Sequence, residues 1–225
     1  MSDHFDMSGA RAVIVGADQP AGTALREGLS RAGAVCAAAE GADTRSAVRA
    51  AAESLGGLDV LAVGTDVFHA APLGETLPAA ADIVMAANYG VAFAALQAAT
   101  ELMQAQGTGG RIVLTTSVLG ERGVAHSAAY SAAQGAIVNL VRAAAQELAP
   151  DGITVNGVEL GWMDWMSDRI DPTDENALRA VRFTMLKRAG TQADVEPLVV
   201  WLAGSGAGFV TGQIFPLDGG LSQHL

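Results

Sequence analysis

The stretch Arg11-Ala12-Val13-Ile14-Val15-Gly16-Ala17-Asp18-Gln19-Pro20-Ala21-Gly22 decides how this chain folds. Arg11 to Val15 is a short, largely β-branched apolar run that stops at Gly16. Pro20 to Ala32 then reads as a helix closed by Gly33, with proline where a first helical turn tolerates it. A strand, a tight turn and a helix make the opening unit of a parallel α/β sheet. The alternation continues. Strands are predicted at Ala34 to Ala39, Leu58 to Val63, Arg111 to Thr116 and Ile153 to Val158. Helices are predicted at Asp43 to Leu55, Tyr130 to Leu148 and Asp194 to Ala203, and one long or two abutting helices at Pro78 to Gln106. This pattern predicts a doubly wound, mainly parallel sheet of the Rossmann type, in a single domain spanning residues 1–225.

Composition narrows the function classes. Half of the residues are hydrophobic and few are aromatic, so an Ala/Val/Leu core is expected. A net charge of −11 and a pI near 4.6 argue against nucleic acid and anionic membrane surfaces, which select basic patches. Cys36 is the single cysteine, placed in a predicted buried strand, so neither a disulfide framework nor a Cys-based metal site is available. Met1 to Ser8 carries no apolar run of the signal-peptide kind, and a soluble cytoplasmic protein is expected.

Ser117 follows the apolar strand Ile112-Val113-Leu114, and Tyr130 begins the Ala-rich run Tyr130-Ser131-Ala132-Ala133-Gln134. With the C-terminal Val210-Thr-Gly-Gln-Ile-Phe-Pro-Leu-Asp-Gly-Gly220, this placement resembles the short-chain dehydrogenase/reductase family, over about Arg11 to Gly220. The resemblance implies Ser117 and Tyr130 as catalytic residues. It also implies Asn88, in Ala86-Ala-Asn-Tyr-Gly90, as the residue that positions a proton-relay water, although a buried helical Asn can equally satisfy backbone carbonyls. The position four residues after the tyrosine is a lysine in the family and Gln134 here. Residues i and i+4 share a helix face. An amide there can bond ribose or phenolate but brings no charge, and an unperturbed phenol titrates near ~10.

The resemblance places NAD over Gly16 and Gly22, with Glu40 at the end of the second strand accepting the ribose hydroxyls and disfavouring NADP. Four departures accompany Gln134. Pro20 replaces the middle glycine of the phosphate turn, removing a donor, and Asp18 sits where its carboxylate could cap the helix. Val63-Gly64-Thr65-Asp66 stands for Asn-Asn-Ala-Gly, and Asp66 adds a carboxylate to the presumed groove. Leu160-Gly161 replaces Pro-Gly. Trp165 stands near a threonine that meets the carboxamide, where an indole would fill that pocket. Only Gly41-Ala42 separates Glu40 from Asp43, so one edge strand is expected to be shortened or missing.

Trp162, Met163, Trp165 and Met166 could line an apolar substrate pocket, though such residues are more often packing. The polar stretch Asp164 to Arg188, with Asp171-Pro172-Thr-Asp-Glu175, corresponds to the family's substrate-covering segment. His69 and His126 are candidate general bases, each more often solvated or structural, and no pair has metal-ligand spacing.

Because the losses cluster on one side of the site, the leading expectation is a family member with impaired or absent redox activity. It would be homo-oligomeric, or hetero-oligomeric with a related active NAD-dependent alcohol dehydrogenase/ketoreductase. One alternative is a working NAD(H)-dependent oxidoreductase interconverting a secondary alcohol and a ketone. Another is cofactor-free Ser/Tyr chemistry of the halohydrin dehalogenase type; that branch has an arginine at the Gln134 position and an aromatic residue at Pro20.

Overall fold

The computed structural model describes residues 4–169 and 181–223. In chain order the elements are β1 (Arg11–Val15), α1 (Pro20–Arg31), β2 (Val35–Ala39), α2 (Thr44–Ser54), β3 (Val60–Val63), α3 (Pro78–Met85), α4 (Val91–Gln106), β4 (Gly110–Ser117), α5 (Ala128–Leu148), β5 (Ile153–Leu160), α6 (Gln192–Ala203) and β6 (Ile214–Leu217). Among the described residues the strands form one six-stranded sheet in the order β2-β1-β3-β4-β5-β6, every pairing parallel. The doubly wound expectation is met, and most element boundaries shift by only a few residues.

Alternation along the strands divides the core. Val13, Val15, Leu61, Val63, Ile112, Leu114, Ile153 and Val155 pack beneath α2, α4 and α5. Ala12, Ile14, Val60, Ala62, Val113, Val158 and Leu160 pack with α1 and α6 on the other face. A strand buried on both faces needs an unbroken apolar run, which is why β1, β3 and β4 read so clearly. Burying one large aliphatic side chain stabilises by about 1.5–3 kcal/mol, so each layer is strongly favoured.

The sheet stops at β2. Asp43 caps α2 directly, accepting from the Arg45 N–H at 3.3 Å and the Ser46 hydroxyl at 2.6 Å. No strand intervenes between Glu40 and that cap, as expected from the short connection. Edge placement also corrects the reading of Cys36, which is half-buried rather than buried because β2 has a neighbour on one side only.

Strand order reverses between β1 and β3, so their C-terminal ends open a crevice of the kind in which α/β proteins bind ligands. Its floor is unusually close. A Cβ on Gly22 would lie 1.9 Å from the Gly16 carbonyl oxygen, and one on Gly64 would lie 2.4 Å from the Gly22 nitrogen. Gly16 itself has φ +75°, a left-handed conformation that glycine adopts without strain. Glycines at 16, 22 and 64 therefore let the first turn of α1 rest on the end of β3.

Pro78 to Gln106 is continuous helix interrupted by a π turn at Ala86–Gly90. It is long and apolar enough by length and composition to cross a membrane, yet it packs on the sheet through residues such as Ala95, Ala99 and Met103. Only 28% of its most apolar window is buried, leaving an apolar outer face that includes Ile83 and Phe93.

Candidate active site

Ser117 ends β4, and its Oγ accepts from the Leu119 N–H at 3.2 Å, capping the short turn Val118–Gly120. That turn lies directly on α5. A Cβ on Gly120 would be 2.8 Å from the Gln134 carbonyl carbon, and one on Gly135 would be 2.9 Å from the Gly120 oxygen. The Thr116 hydroxyl adds a bond to the Gln134 carbonyl at 3.1 Å. These contacts bring Ser117 up to Tyr130, the third residue of α5.

Tyr130 is 1% exposed. Its ring meets Phe68 edge-on at 5.0 Å in a small cluster with Val84 and Ala133. Its hydroxyl donates to Asp66 Oδ1 at 2.6 Å. Arg169 closes the other side of that carboxylate, with Nη2 at 2.5 Å from Oδ2 and Nη1 at 3.4 Å from Oδ1. The guanidinium also lies 5.2 Å over the Phe68 ring. Asp66 is held from below as well, because its own N–H donates to Gln19 Oε1 at 2.8 Å.

The phenol pKa is pushed well above its ordinary value. Burial is the largest cause, followed by the charge of Asp66 and the hydrogen bond to it; Arg169 and Ser117 act in the opposite sense. Ionising Tyr130 would set two negative oxygens 2.6 Å apart in a dry site, with one guanidinium between two anions.

Asn88 and Gln134 are both buried. The π turn swings Asn88 inward, where its Nδ2 donates to the carbonyls of Val67 and Val84 at 2.9 Å each and its Oδ1 accepts from the Val67 N–H at 3.0 Å. The backbone-satisfying reading of this asparagine therefore describes its contacts here. Gln134 turns to Asn88, its Nε2 3.4 Å from Oδ1, and its own Oε1 has no hydrogen-bond partner. Although one turn of α5 separates them, Tyr130 and Gln134 direct their polar ends to different partners.

Gly16 and Gly22 lie in the β1–α1 turn, and Glu40 is exposed where β2 ends. Asp18 does not cap α1: Gln19 holds the N-cap position without a side-chain bond, and Asp18 is exposed. Proline at the first helical position leaves that turn intact while offering no N–H. Met163 and Met166 are buried in the α1/α6-side core, with Trp162 and Trp165 packed against it; Met163, Trp165 and Met166 act as packing, whereas Trp162 also lines a cavity. Leu160 joins the same core.

Trp162 also borders a cavity of about 400 Å³ beside Leu186, Asp194 and Asp218, none of which is a predicted site residue. His69 is half-buried; His126 is exposed with φ +69°, and its carbonyl accepts from the Ala71 N–H. Asp171 to Glu175 lie outside the described residues.

Arg169 and Phe68 were not singled out by sequence reasoning. A signal existed for the arginine: a carboxylate placed at the sheet's switch point must find a cation or strong donors once buried, and Arg169 lies within the covering segment.

This fold and site define a short-chain dehydrogenase/reductase, and the comparisons agree. A family model described as Enoyl-(Acyl carrier protein) reductase matches residues 1–222. L-2,3-butanediol dehydrogenase of Corynebacterium glutamicum is 34% identical over 186 residues, 78% of this chain and 72% of that protein. A dehydrogenase/reductase from Sinorhizobium meliloti 1021 superposes with a TM-score of 0.86 at 30% identity, covering 97% of each chain. A gluconate 5-dehydrogenase from Burkholderia cenocepacia J2315, solved in complex with NADP and tartrate, superposes with a TM-score of 0.91 at 26% identity over 99% of each chain. The chain belongs to the short-chain dehydrogenase/reductase family.

The family implies a nicotinamide dinucleotide, and the residues present fit one at a single end. Gly16 and Gly22 keep the close turn that a pyrophosphate approaches. At the other end the Tyr130 hydroxyl is bonded to Asp66 and the Gln134 amide is turned to Asn88, so neither is offered to a ribose or a carbonyl. In this arrangement the nicotinamide end does not fit.

Proposed function

We propose that this chain is a short-chain dehydrogenase/reductase with impaired or absent NAD(H)-dependent alcohol–ketone activity, serving as a subunit beside a second copy or a related active paralogue. The observation that carries the reading is the hydrogen bond from Tyr130 to Asp66. A phenol that must exchange a proton with a carbonyl needs a pKa near working pH, whereas this one is held protonated by burial and a neighbouring carboxylate. Gln134 supplies no opposing charge. The apolar outer face of the Pro78–Gln106 helix, where Tyr89 and Phe93 stack at 5.7 Å, supports association with another subunit. Exposed Glu40 favours NAD over NADP wherever a dinucleotide does bind.

Titration of the purified protein with NADH and NADPH by nicotinamide fluorescence, with a secondary-alcohol screen alongside, tests the reading. The expected result is no micromolar binding and no turnover, with an oligomer on a sizing column or a paralogue on co-purification. Micromolar NADH binding with alcohol oxidation rising toward alkaline pH would overturn it.

That outcome is the second reading, a working NAD(H) oxidoreductase. Relatives named as dehydrogenases and reductases over most of the chain favour it.

A further inference from the structure

Asp66 and Arg169 do more than obstruct. Their side chains are 9% and 17% exposed, so the pair is largely withdrawn from water, where a charge acts strongly on its neighbours. Arg169 ends the helical turn Asp164–Arg169 that follows β5. Its guanidinium is steadied by two contacts, the Asp66 carboxylate and the face of Phe68, and Phe68 in turn abuts the Tyr130 ring. The charged groups acting on the phenol are Asp66, from the loop after β3, and Arg169, from the turn after β5; Ser117 adds a hydroxyl from β4. From α5 itself Gln134 brings an uncharged amide.

We propose that Arg169 is the positive partner of Tyr130, acting from the turn after β5 in place of a cation on α5, and that Asp66 is its built-in counter-ion, locking phenol and guanidinium into a closed, neutral resting arrangement. Arg169 is a positioning residue that works through charge, and Asp66 is the lock. With the carboxylate in place, the guanidinium's field is cancelled and the phenol keeps its proton. With a neutral group there, the guanidinium faces the phenol unopposed and favours the phenolate. An arginine suits this role because it stays charged when desolvated and its planar fork can stack on an aromatic ring while bonding a carboxylate.

The inference rests on the reading that Tyr130 marks the family's reaction centre, but its test needs neither cofactor nor turnover. The chain has two tyrosines, Tyr89 and Tyr130, so Tyr89→Phe leaves one phenol to follow. The Tyr130 Cζ shift in ¹³C-tyrosine NMR is recorded against pH in that background and in Asp66→Asn, Asp66→Asn/Arg169→Met and Asp66→Asn/Arg169→Lys. Circular dichroism checks each variant for the native fold, and Asp66→Ser stands in for Asp66→Asn should the latter not fold.

In the Tyr89→Phe protein Tyr130 is expected to stay protonated to the alkaline limit of the native state. Asp66→Asn brings a midpoint into view at least about one pH unit below that limit, where the phenolate gains tenfold or more. Adding Arg169→Met removes that gain, and Arg169→Lys keeps part of it. A phenol still protonated to that limit in Asp66→Asn, or a midpoint equal in the Asp66→Asn proteins with and without Arg169, would overturn the proposal. Because no dinucleotide takes part, failure here leaves the impaired-dehydrogenase reading standing, and NADH turnover by the natural protein would leave this inference standing.

Discussion

The Tyr130 hydroxyl donates to Asp66 Oδ1 at 2.6 Å, so the phenol expected to exchange a proton with substrate is already bonded to a carboxylate of its own chain. Asp66 stands where the family resemblance places a glycine. One added side chain thus occupies the hydroxyl, recruits Arg169 from the covering segment and opposes ionisation.

Restoring dehydrogenase chemistry should therefore need two changes. Asp66→Gly removes the carboxylate and leaves Arg169 to act on the phenol, and Gln134→Lys restores the family's residue one turn along α5, where an amide now turns to Asn88. Neighbouring changes of this kind are coupled rather than additive. The double variant is expected to exceed either single variant by at least about tenfold, roughly 1.4 kcal/mol, in NADH affinity or secondary-alcohol oxidation. Equal performance by Gln134→Lys alone would show that the carboxylate is no obstacle.

Asn88 serves three backbone groups beside the π turn: the Val67 N–H and the carbonyls of Val67 and Val84. Asn88→Ala strands them in a buried place. The expected loss is about 2–4 kcal/mol, since each unmatched buried polar group costs about 1–3 kcal/mol and the loop relaxes in part. Urea unfolding monitored by circular dichroism measures it, and a loss under about 0.5 kcal/mol would contradict this account.

The crevice floor should be intolerant of a single methyl group. Gly64→Ala places a Cβ against the Gly22 nitrogen, and Gly22→Ala places one against the Gly16 oxygen. Both contacts are to backbone, which cannot turn aside, and each change is expected to cost more than about 2 kcal/mol. Gly107→Ala meets open space and carries only the strain of φ +67°, so it should cost about 1 kcal/mol. Comparing thermal midpoints of the three variants tests the ranking.

Glu159 lies buried on β5 with Oε1 unpartnered. Its pKa is raised from 4.5 to about 7, first by burial and then by Glu121 and Asp218, against the pull of Arg142 and Arg122. A folded pKa above the unfolded one means that the native state holds the extra proton. The group's stabilising contribution is full below about pH 4.5 and is lost as pH rises through 7. The whole swing is at most roughly 3 kcal/mol. Glu159→Gln should flatten the dependence of Tm on pH between 5 and 8 and raise stability at pH 8. A parallel pair of Tm profiles would exclude Glu159 as the source.

The alternation of strands and helices, the turn at Gly16 and the edge at β2 were legible in the chain because each follows from local rules: period, breaker residues and connection length. So were the substitutions at Gln134, Pro20 and Asp66, which stand at recognisable places in a motif. Local rules misread Asp18, because the N-cap falls one residue later, and Cys36, because burial depends on which strands flank β2. The partners of Asp66 were beyond them. Arg169 is far from Asp66 in sequence, in a polar segment without periodicity, and the two meet only because β3 and β5 open at the same edge of the sheet. Sequence by itself determined a dehydrogenase-type fold with a lysine missing. Tertiary structure decided what stands at the tyrosine, since the energy of a buried charge depends on which distant groups the fold brings within a few ångströms of it.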